Sequence, residues 1–313
     1  MSDQKDPKVI IVGSGPAGYT AGLYLGRANV PNLLFEGEQP GGQLTITTEV
    51  ENYPAFPEGI DGPELMMKFR AQAERFGTVI KSETVKSIDM SSRPFKVTTT
   101  GGEYTVPAVI IASGSSARWL GIKDEEDFFG KGLSACATCD GFFFRDQEIA
   151  VVGGGDTALE EAIYLTNFAS KVTLIHRRDE LRGSKIMQDR ALNHDKIEMA
   201  WNSGIDSYVP DENGNLKGVI LKDTQNGTTR ELAVQGCFIA IGHTPNTAFI
   251  EGQLTMDDNG YLITNDNRTA TNVEGIFACG DVQDHFYRQA ITSAGTGCMA
   301  AIEAERWLGE TGA

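Results

Sequence analysis

The sequence predicts an α/β protein made of two three-layer units, each built around a parallel sheet. Two observations predict this fold. An apolar strand followed by a glycine-rich turn and a helix occurs twice, and each copy ends in another apolar strand that runs into a glycine-containing turn. The length of 313 residues also suits about two domains of ordinary size.

The two copies have the same local order. The first has the apolar run Ile10–Val12, the turn 13–18 with the sequence GSGPAG, and a predicted helix over Tyr19–Ala28. In the second, Ile149–Val152 leads into the turn 153–158, with the sequence GGGDTA, and another helical pattern. One such turn is weak evidence, but two in the same context are strong evidence for Rossmann-like dinucleotide-binding domains. Their glycines allow a sharp turn and let a pyrophosphate approach a helix N-terminus.

The copies differ after their second strand. Leu33–Phe35 ends at Glu36, and an acid at this spacing accepts hydrogen bonds from a ribose diol, as in FAD. At the matching position the second copy has basic residues, which suit a 2′-phosphate. The second copy is therefore predicted to bind NADPH rather than NADH, with a solvated basic patch as the alternative. These basic residues are His176, Arg177, Arg178 and Arg182.

A Cys-x-x-Cys pair, Cys136 and Cys139, lies just before the strand of the second copy. Such a pair fits a redox disulfide or half of a zinc site. The redox interpretation is favoured because the four histidines are dispersed and the sequence has no second such pair. Asp140 is the natural proton donor and acceptor for these thiols, and a helix-capping or turn role is the alternative. The other cysteines, Cys237, Cys279 and Cys298, are predicted to be small core residues.

Composition excludes some classes of partner. A formal net charge of −16 argues against nucleic acid and against docking on anionic lipid. No apolar stretch approaches the roughly 20 residues of a membrane span, and the polar N-terminus has no secretory pattern. A cytoplasmic protein is the expectation.

With these motifs the chain resembles the low-molecular-weight thioredoxin reductases. The resemblance implies a discontinuous FAD-binding domain, residues 1–116 and 248–313, with an NADPH-binding domain, residues 117–247, inserted between and carrying the redox pair. The matching segments span the chain: GSGPAG at 13–18, GGQL at 41–44, TEVENYP at 48–54, ACATCDG at 135–141, GGGDTA at 153–158, HRRDELR at 176–182, AIGHTPNT at 240–247, FACGDV at 277–282 and YRQAITSAGTG at 287–297.

The resemblance also implies an activity. Electrons pass from NADPH through FAD and the Cys136–Cys139 disulfide to the disulfide of thioredoxin or a thioredoxin-like protein, and the protein is a homodimer. Cys139 interacts with the flavin and Cys136 attacks the partner. The implied FAD site consists of Gly13, Ser14, Gly15, Pro16, Ala17, Glu36, Gly42, Gln43, Leu44, Asn52, Gly280, Asp281, Arg288, Gln289 and Ala290. The NADPH site consists of Gly154, Gly155, Asp156, Thr157 and Ala158 with the four basic residues, and no metal is expected.

Two further expectations concern apolar residues. The run Phe142–Arg145 has more aromatic surface than one face of a strand would bury, so we expect Phe142, Phe143 and Arg145 to dock the partner protein, with a core strand as the alternative. In the predicted C-terminal helix, Ile291, Met299 and Ile302 are expected to face the core.

Three other functions remain open. The flavoprotein of alkyl hydroperoxide reductase is expected to carry an additional N-terminal region with its own Cys-x-x-Cys. A ferredoxin-dependent thioredoxin reductase is expected to lack the motif at 176–182. A non-catalytic FAD- and NADPH-binding sensor would have no use for the cysteine pair.

Overall fold

The computed structural model describes residues 6–46, 49–265 and 268–313, so Thr48 of the TEVENYP motif lies outside the described residues. The chain divides into two compact units. Unit 1 consists of residues 1–116 and 244–313, and unit 2 of residues 117–243. The chain thus returns from unit 2 to unit 1 between residues 243 and 244, whereas the sequence predicted this boundary between residues 247 and 248.

The first part of unit 1 contains most of its strands. Its helices are α1 (Pro16–Arg27) and α2 (Gly62–Arg75). Its strands are β1 (Val9–Val12), β2 (Asn32–Phe35), β3 (Glu49–Val50), β4 (Ile60–Asp61), β5 (Val79–Lys81), β6 (Val85–Asp89), β7 (Phe95–Thr99), β8 (Glu103–Val106), β9 (Ala108–Ile111) and β10 (Ser115–Ala117).

Unit 2 follows, and the chain then returns to unit 1. The helices of unit 2 are α3 (Ala137–Asp140), α4 (Asp156–Leu165) and α5 (Lys185–Leu192). Its strands are β11 (Leu133–Ser134), β12 (Glu148–Val152), β13 (Lys171–Ile175), β14 (Ile197–Ala200), β15 (Ser203–Pro210), β16 (Leu216–Asp223), β17 (Thr229–Ala233) and β18 (Gly236–Ile239). The returning chain forms β19 (His243–Pro245), β20 (Ile276–Ala278) and α6 (Ala290–Thr311).

Each unit has a five-stranded sheet and a separate three-stranded antiparallel sheet, which confirms the predicted fold class. The five-stranded sheets are parallel, with the orders β20-β9-β1-β2-β5 in unit 1 and β11-β18-β12-β13-β14 in unit 2. Strands β1, β9 and β18 are buried throughout, as apolar parallel strands covered on both faces must be. Both sheets therefore present the carboxyl ends of β1 and β12 to the glycine-rich turns.

The expectation that Ile291, Met299 and Ile302 face the core is wrong, because these side chains are 45%, 38% and 37% exposed. The buried face of α6 is instead made of small residues. A Cβ on Gly297 would lie 2.2 Å from the Ala17 carbonyl oxygen, so α1 and α6 approach too closely for larger side chains. The small residues on this face are Ala294, Gly297, Ala300, Ala301 and Ala304.

The remaining cysteines follow the prediction in two cases. Cys237 in β18 and Cys279 after β20 are fully buried, and burial raises the pKa of the Cys279 thiol to about 12. Cys298 in α6 is only half-buried. It lines a cavity of about 500 Å³ in unit 1 together with aromatic residues that include Tyr24, Tyr53 and Phe69.

The two crossings between the units pair with each other as a two-stranded sheet, β10 with β19. Next to this sheet the Asn246 amide donates to the Ser113 carbonyl oxygen (2.9 Å) and accepts from the Ser116 hydroxyl (3.1 Å). Beyond it the Arg118 N–H donates to the Gly242 carbonyl oxygen (2.9 Å). The chain therefore enters and leaves unit 2 through adjacent segments. Among the described helices, none has the length and apolarity needed to cross a membrane.

Candidate functional site

The glycine-rich turn of unit 1 joins β1 to α1 and leaves one open position. Gly13 has φ +110°, and a Cβ there would lie 2.3 Å from the Ala112 carbonyl oxygen. A Cβ on Gly18 would lie 2.0 Å from the Gly13 carbonyl oxygen, whereas one on Gly15 would meet nothing within 4 Å. The first and third glycines are thus required by the chain itself. The second leaves space at the N-terminus of α1, where free N–H groups suit a phosphate.

Other predicted FAD-site segments meet at this turn. The Ser14 hydroxyl donates to the Glu36 carbonyl oxygen and accepts from the Gly41 N–H, both at 3.0 Å. A Cβ on Gly42 would lie 3.3 Å from the Gly15 Cα, and one on Gly280 would lie 2.9 Å from the Ala17 Cβ. The segments 13–17, 41–44 and 280–281 are therefore neighbours.

Two residues of the predicted FAD site take no part in these contacts. The side chains of Gln43 and Asn52 are exposed, and neither makes a hydrogen bond within the ranges that the structure describes. Leu44 is half-buried and packs against the core around Met66.

The Glu36 carboxylate is buried and already has three donors from the chain. The Tyr19 hydroxyl donates to Oε1 at 2.9 Å, the Ser82 hydroxyl donates to Oε2 at 2.8 Å, and the Arg70 guanidinium forms an ion pair with Oε1. Burial, with the Glu36 carboxylate beside it, raises the pKa of Tyr19. Sequence reasoning found Glu36 but missed these partners.

Asp281 follows β20 and is held by α6. The Ser293 hydroxyl donates to its Oδ1 at 2.7 Å. Burial raises the pKa of Asp281 to about 6; the Asp284 carboxylate adds to the rise, while Ser293 and the Arg288 guanidinium oppose it. Arg288 itself has φ +48°, and the Gln289 amide donates to its carbonyl oxygen at 3.1 Å.

The turn of unit 2 repeats the arrangement. A Cβ on Gly153 would lie 2.5 Å from the Ala158 Cβ, and one on Gly154 would lie 2.3 Å from the His176 imidazole. A Cβ on Gly155, the N-cap of α4, would meet nothing within 4 Å, as at Gly15. The same position of each turn is therefore open.

The residues around this turn divide into exposed and buried groups. Asp156 accepts a hydrogen bond from the Ser184 N–H at 2.7 Å, which lowers the pKa of its carboxyl, and Thr157 is half-buried. His176 is only 5% exposed. The side chains of Arg177, Arg178 and Arg182 are exposed, and within the described part of the chain they have no ion pair or hydrogen bond.

Cys136 and Cys139 form a disulfide, with an S–S distance of 2.07 Å and a Cα–Cα distance of 5.3 Å. Both are half-buried at α3, which follows β11. The Ser134 hydroxyl accepts from the Cys136 N–H at 3.0 Å. Burial raises the pKa of Asp140, and the Ser134 hydroxyl partly offsets the rise. The Asp140 side chain makes no capping hydrogen bond to the turn that follows it, so the structure does not support the capping alternative.

The core-strand alternative for the aromatic run is wrong, because residues Gly141–Phe144 form a 3-10 turn. Phe142 and Phe143 are 47% and 37% exposed. Two aromatic residues of the α4 region join them, since the Phe168 ring contacts both Phe142 (6.3 Å between ring centroids) and Tyr164 (5.5 Å). The Arg145 guanidinium lies 4.5 Å from the centroid of the Phe142 ring. We call Phe142, Phe143, Arg145, Tyr164 and Phe168 the aromatic cluster; no local sequence pattern indicated the last two.

Two dinucleotide-binding turns and a redox disulfide define a class of protein, the disulfide oxidoreductases that use a flavin and a pyridine nucleotide. Comparisons agree with this class. Residues 7–301 match the pyridine nucleotide-disulphide oxidoreductase family. A thioredoxin reductase of Vibrio cholerae is 54% identical and covers 100% of both chains. The solved thioredoxin reductase from Giardia duodenalis is 42% identical, with a TM-score of 0.93 over 97% of this chain and 99% of that one.

One relative has a different name. A Pseudomonas fluorescens protein called glucosaminate ammonia-lyase is 53% identical over 98% of this chain and 98% of its own length. The family is nonetheless clear: the chain belongs to the low-molecular-weight thioredoxin reductases, within the pyridine nucleotide-disulphide oxidoreductases. FAD and NADPH are the cofactors of this family. The open positions at Gly15 and Gly155 and the unpaired arginines fit them.

Proposed function

We propose that the chain is an NADPH-dependent thioredoxin-disulfide reductase. The observation that carries this proposal is the Cys136–Cys139 disulfide beside the half-buried Asp140, in the same unit as a dinucleotide-binding turn. Bound FAD supplies the relay between the hydride chemistry of NADPH and thiol–disulfide exchange. The substrate is the disulfide of thioredoxin or a thioredoxin-like protein.

The chain's own cysteines perform the exchange with the partner. In the dithiol form, the Cys136 thiolate attacks one partner sulfur, which breaks the partner disulfide and releases its other sulfur as a thiolate. Cys139 then attacks the Cys136 sulfur, which releases the second partner thiolate and reforms the Cys136–Cys139 disulfide. Asp140 keeps a proton to higher pH than an exposed aspartate, because burial raises its pKa, and can pass that proton to a leaving thiolate.

We further propose the cofactor ligands. In unit 1 the space at Gly15 takes the FAD pyrophosphate, with Ser14, Pro16 and Ala17 around it. Oε2 of Glu36 has one donor, Ser82, and so can still accept from a ribose hydroxyl. The remaining FAD residues are Gly13, Gly42, Gln43, Leu44, Asn52, Gly280, Asp281, Arg288, Gln289 and Ala290. In unit 2 the turn 154–158 takes the NADPH pyrophosphate, and Arg177, Arg178 and Arg182 take the 2′-phosphate.

The aromatic cluster is proposed as the docking site for the partner protein. Two of its exposed rings, Phe142 and Phe143, directly follow the redox pair in the chain, and an arginine stacked on aromatic rings is typical of the residues that dominate protein interfaces. A partner bound there would present its disulfide beside Cys136.

The chain is also proposed to form a homodimer in the cytoplasm. Met299 and Ile302 leave an apolar face on α6, and Tyr24 of α1 is 42% exposed. A two-fold dimer would cover this face with its own copy. Light scattering coupled to size exclusion tests this: Ile302→Glu should convert a dimer into a monomer, and a wild-type monomer would contradict the proposal. A reducing compartment would keep Cys237, Cys279 and Cys298 as the thiols that the structure shows.

Steady-state oxidation of NADPH tests the activity. We expect rapid turnover with thioredoxin and little with a peroxiredoxin or without a protein disulfide. Release of ammonia from glucosaminate should be measured in parallel, because one relative carries that name. Ammonia release without any reduction of thioredoxin would contradict the proposed function.

A further inference from the structure

The His176 imidazole lies beneath the turn that we assign to the NADPH pyrophosphate. Its Nδ1 is 2.9 Å from the Gly153 carbonyl oxygen and its Nε2 is 3.0 Å from the Glu180 carbonyl oxygen. The ring packs against Gly154, where a Cβ would lie 2.3 Å from it, and it is 5% exposed. The imidazole therefore connects the turn to residues 177–183, which we call the arginine loop.

Both ends of the arginine loop are held through the loop's own backbone groups. At its start the Thr224 hydroxyl donates to the Arg177 carbonyl oxygen (3.0 Å). At its end the N–H groups of Arg182 and Gly183 donate to the Gly154 carbonyl oxygen (2.7 and 3.1 Å). The carbonyl of Glu180, between these anchors, is the group that His176 contacts. Glu180 lies midway along the chain between Arg178 and Arg182.

We propose that His176 is a positioning residue that sets NADPH specificity through the arginine loop, and that it does not itself bind the 2′-phosphate. This inference rests on the proposed use of NADPH. Carbonyl oxygens only accept hydrogen bonds, so each contact is a hydrogen bond when the ring nitrogen that faces it carries a proton, and a neutral ring has one such N–H. Holding the loop in place lowers the ordering cost when its guanidiniums bind a phosphate. The Nε2 contact holds the arginine loop and so affects only nucleotides with a 2′-phosphate. The Nδ1 contact holds the glycine-rich turn and so affects the binding of every adenine nucleotide.

Two substitutions separate these contacts. The amide nitrogen of asparagine lies near the position of imidazole Nδ1, and that of glutamine lies near Nε2. His176→Asn should keep the contact to Gly153 and lose the one to Glu180, and His176→Gln should do the reverse. The probes are 2′,5′-ADP and 5′-AMP, the adenosine half of the coenzyme with and without its 2′-phosphate, titrated calorimetrically into FAD-loaded protein.

For His176→Asn we expect the Kd of 2′,5′-ADP to rise about tenfold and that of 5′-AMP to change little, as for the loss of one hydrogen bond behind the phosphate ligands. For His176→Gln both ligands should weaken by a similar factor, so that the preference for 2′,5′-ADP is kept. In a background with Arg177→Ala, Arg178→Ala and Arg182→Ala, His176→Asn should add less than about twofold to the Kd of 2′,5′-ADP, because the groups it positions are gone.

The outcomes are distinct. A wild-type preference for 2′,5′-ADP that survives in His176→Asn overturns the positioning role alone. A full additional loss in the arginine-less background also overturns it, since it indicates direct contact with the phosphate. A wild-type protein that binds both probes equally overturns the use of NADPH and, with it, this inference. Flavin absorbance and thermal unfolding of each variant show that the compared proteins are folded.

Discussion

Units 1 and 2 each contain a five-stranded parallel sheet, and they differ in the residues just beyond the carboxyl ends of its strands. In each sheet the chain leaves one edge strand and soon reaches an acid. Asp281 follows β20 in unit 1 and Asp140 follows β11 in unit 2, and burial raises the pKa of both. A serine hydroxyl opposes the rise in each case, from Ser293 or Ser134. Unit 2 alone has a cysteine pair between the strand and the acid. The same type of sheet therefore serves both units, and the residues just beyond its strands determine the chemistry of each.

The largest difference between the units is the cysteine pair of unit 2, and Cys136→Ser tests its role. Cys136→Ser should abolish turnover of thioredoxin, because only a thiolate attacks the partner disulfide, while NADPH still bleaches the bound flavin. Stopped-flow absorbance and a thioredoxin assay measure the two steps. Cys298→Ser, a change at the half-buried thiol of unit 1, is the matched control and should keep wild-type turnover. Thioredoxin reduction by Cys136→Ser would contradict the role of Cys136.

The next contrast is the buried Glu36 of unit 1 against the exposed arginines of unit 2. Arg177→Ala with Arg178→Ala should weaken NADPH by about 1.5–3 kcal/mol for each charged hydrogen bond lost, with little effect on NADH. The KM of each coenzyme measures this. Arg190→Ala, which removes an exposed arginine from the last turn of α5, is the control. If NADH suffers as much as NADPH, the arginines do not read the 2′-phosphate.

The two acids should affect stability with the same sign. Because the pKa of Asp281 is about 6 in the folded protein and about 3.9 in an unfolded chain, the folded state binds more protons between these values. Its contribution is therefore most favourable below about pH 4 and is lost as the pH rises through about 6. Asp281→Asn should stabilise the apoprotein at pH 7 by at most about 3 kcal/mol, and hardly at pH 4.

Urea unfolding of the apoprotein at the two pH values measures this difference. Asp140→Asn should act in the same direction in unit 2, since burial also raises the pKa of Asp140. Equal effects of Asp281→Asn at pH 4 and pH 7 would show that the carboxyl group does not titrate as described.

The smallest expected effect concerns the aromatic cluster of unit 2. Phe143→Ala should raise the KM for thioredoxin several-fold and leave reduction of a small aromatic disulfide unchanged, because only a protein partner covers the cluster. Phe286→Ala, which removes a 75% exposed ring from unit 1, is the control. A loss shared by both substrates would instead point to a disturbed redox site.

The sequence predicted the fold where the deciding interactions are local. The turns at Gly13 and Gly153 stand directly between their strands and helices, and the cysteine pair is only three residues apart, so spacing alone located them. Which face of the C-terminal helix is buried could not be predicted in this way. Its buried face is set by the Ala17 backbone, far away in sequence, which leaves no space for Met299 or Ile302.

The candidate functional site also depends on interactions between residues that are far apart in the sequence. The Glu36 carboxylate is bound by side chains from three separate parts of unit 1, which no motif connects: Tyr19, Arg70 and Ser82. The sequence predicted His176 as part of the NADPH site, but the packing of its ring against the second turn depends on the absence of a side chain at Gly154. The assignment of each residue to FAD or NADPH stays a prediction until ligands are bound.

The paired crossings at β10 and β19 give unit 2 the properties of a cassette. Its two ends are hydrogen-bonded neighbours, so the host chain closes over the insertion without a long loop and with little added loop entropy. A short turn from Ser116 to Thr244 would make unit 1 continuous, and a different unit with adjacent ends could replace unit 2. Recombination at this one place would exchange the cysteine pair and the second glycine-rich turn while unit 1 stayed intact.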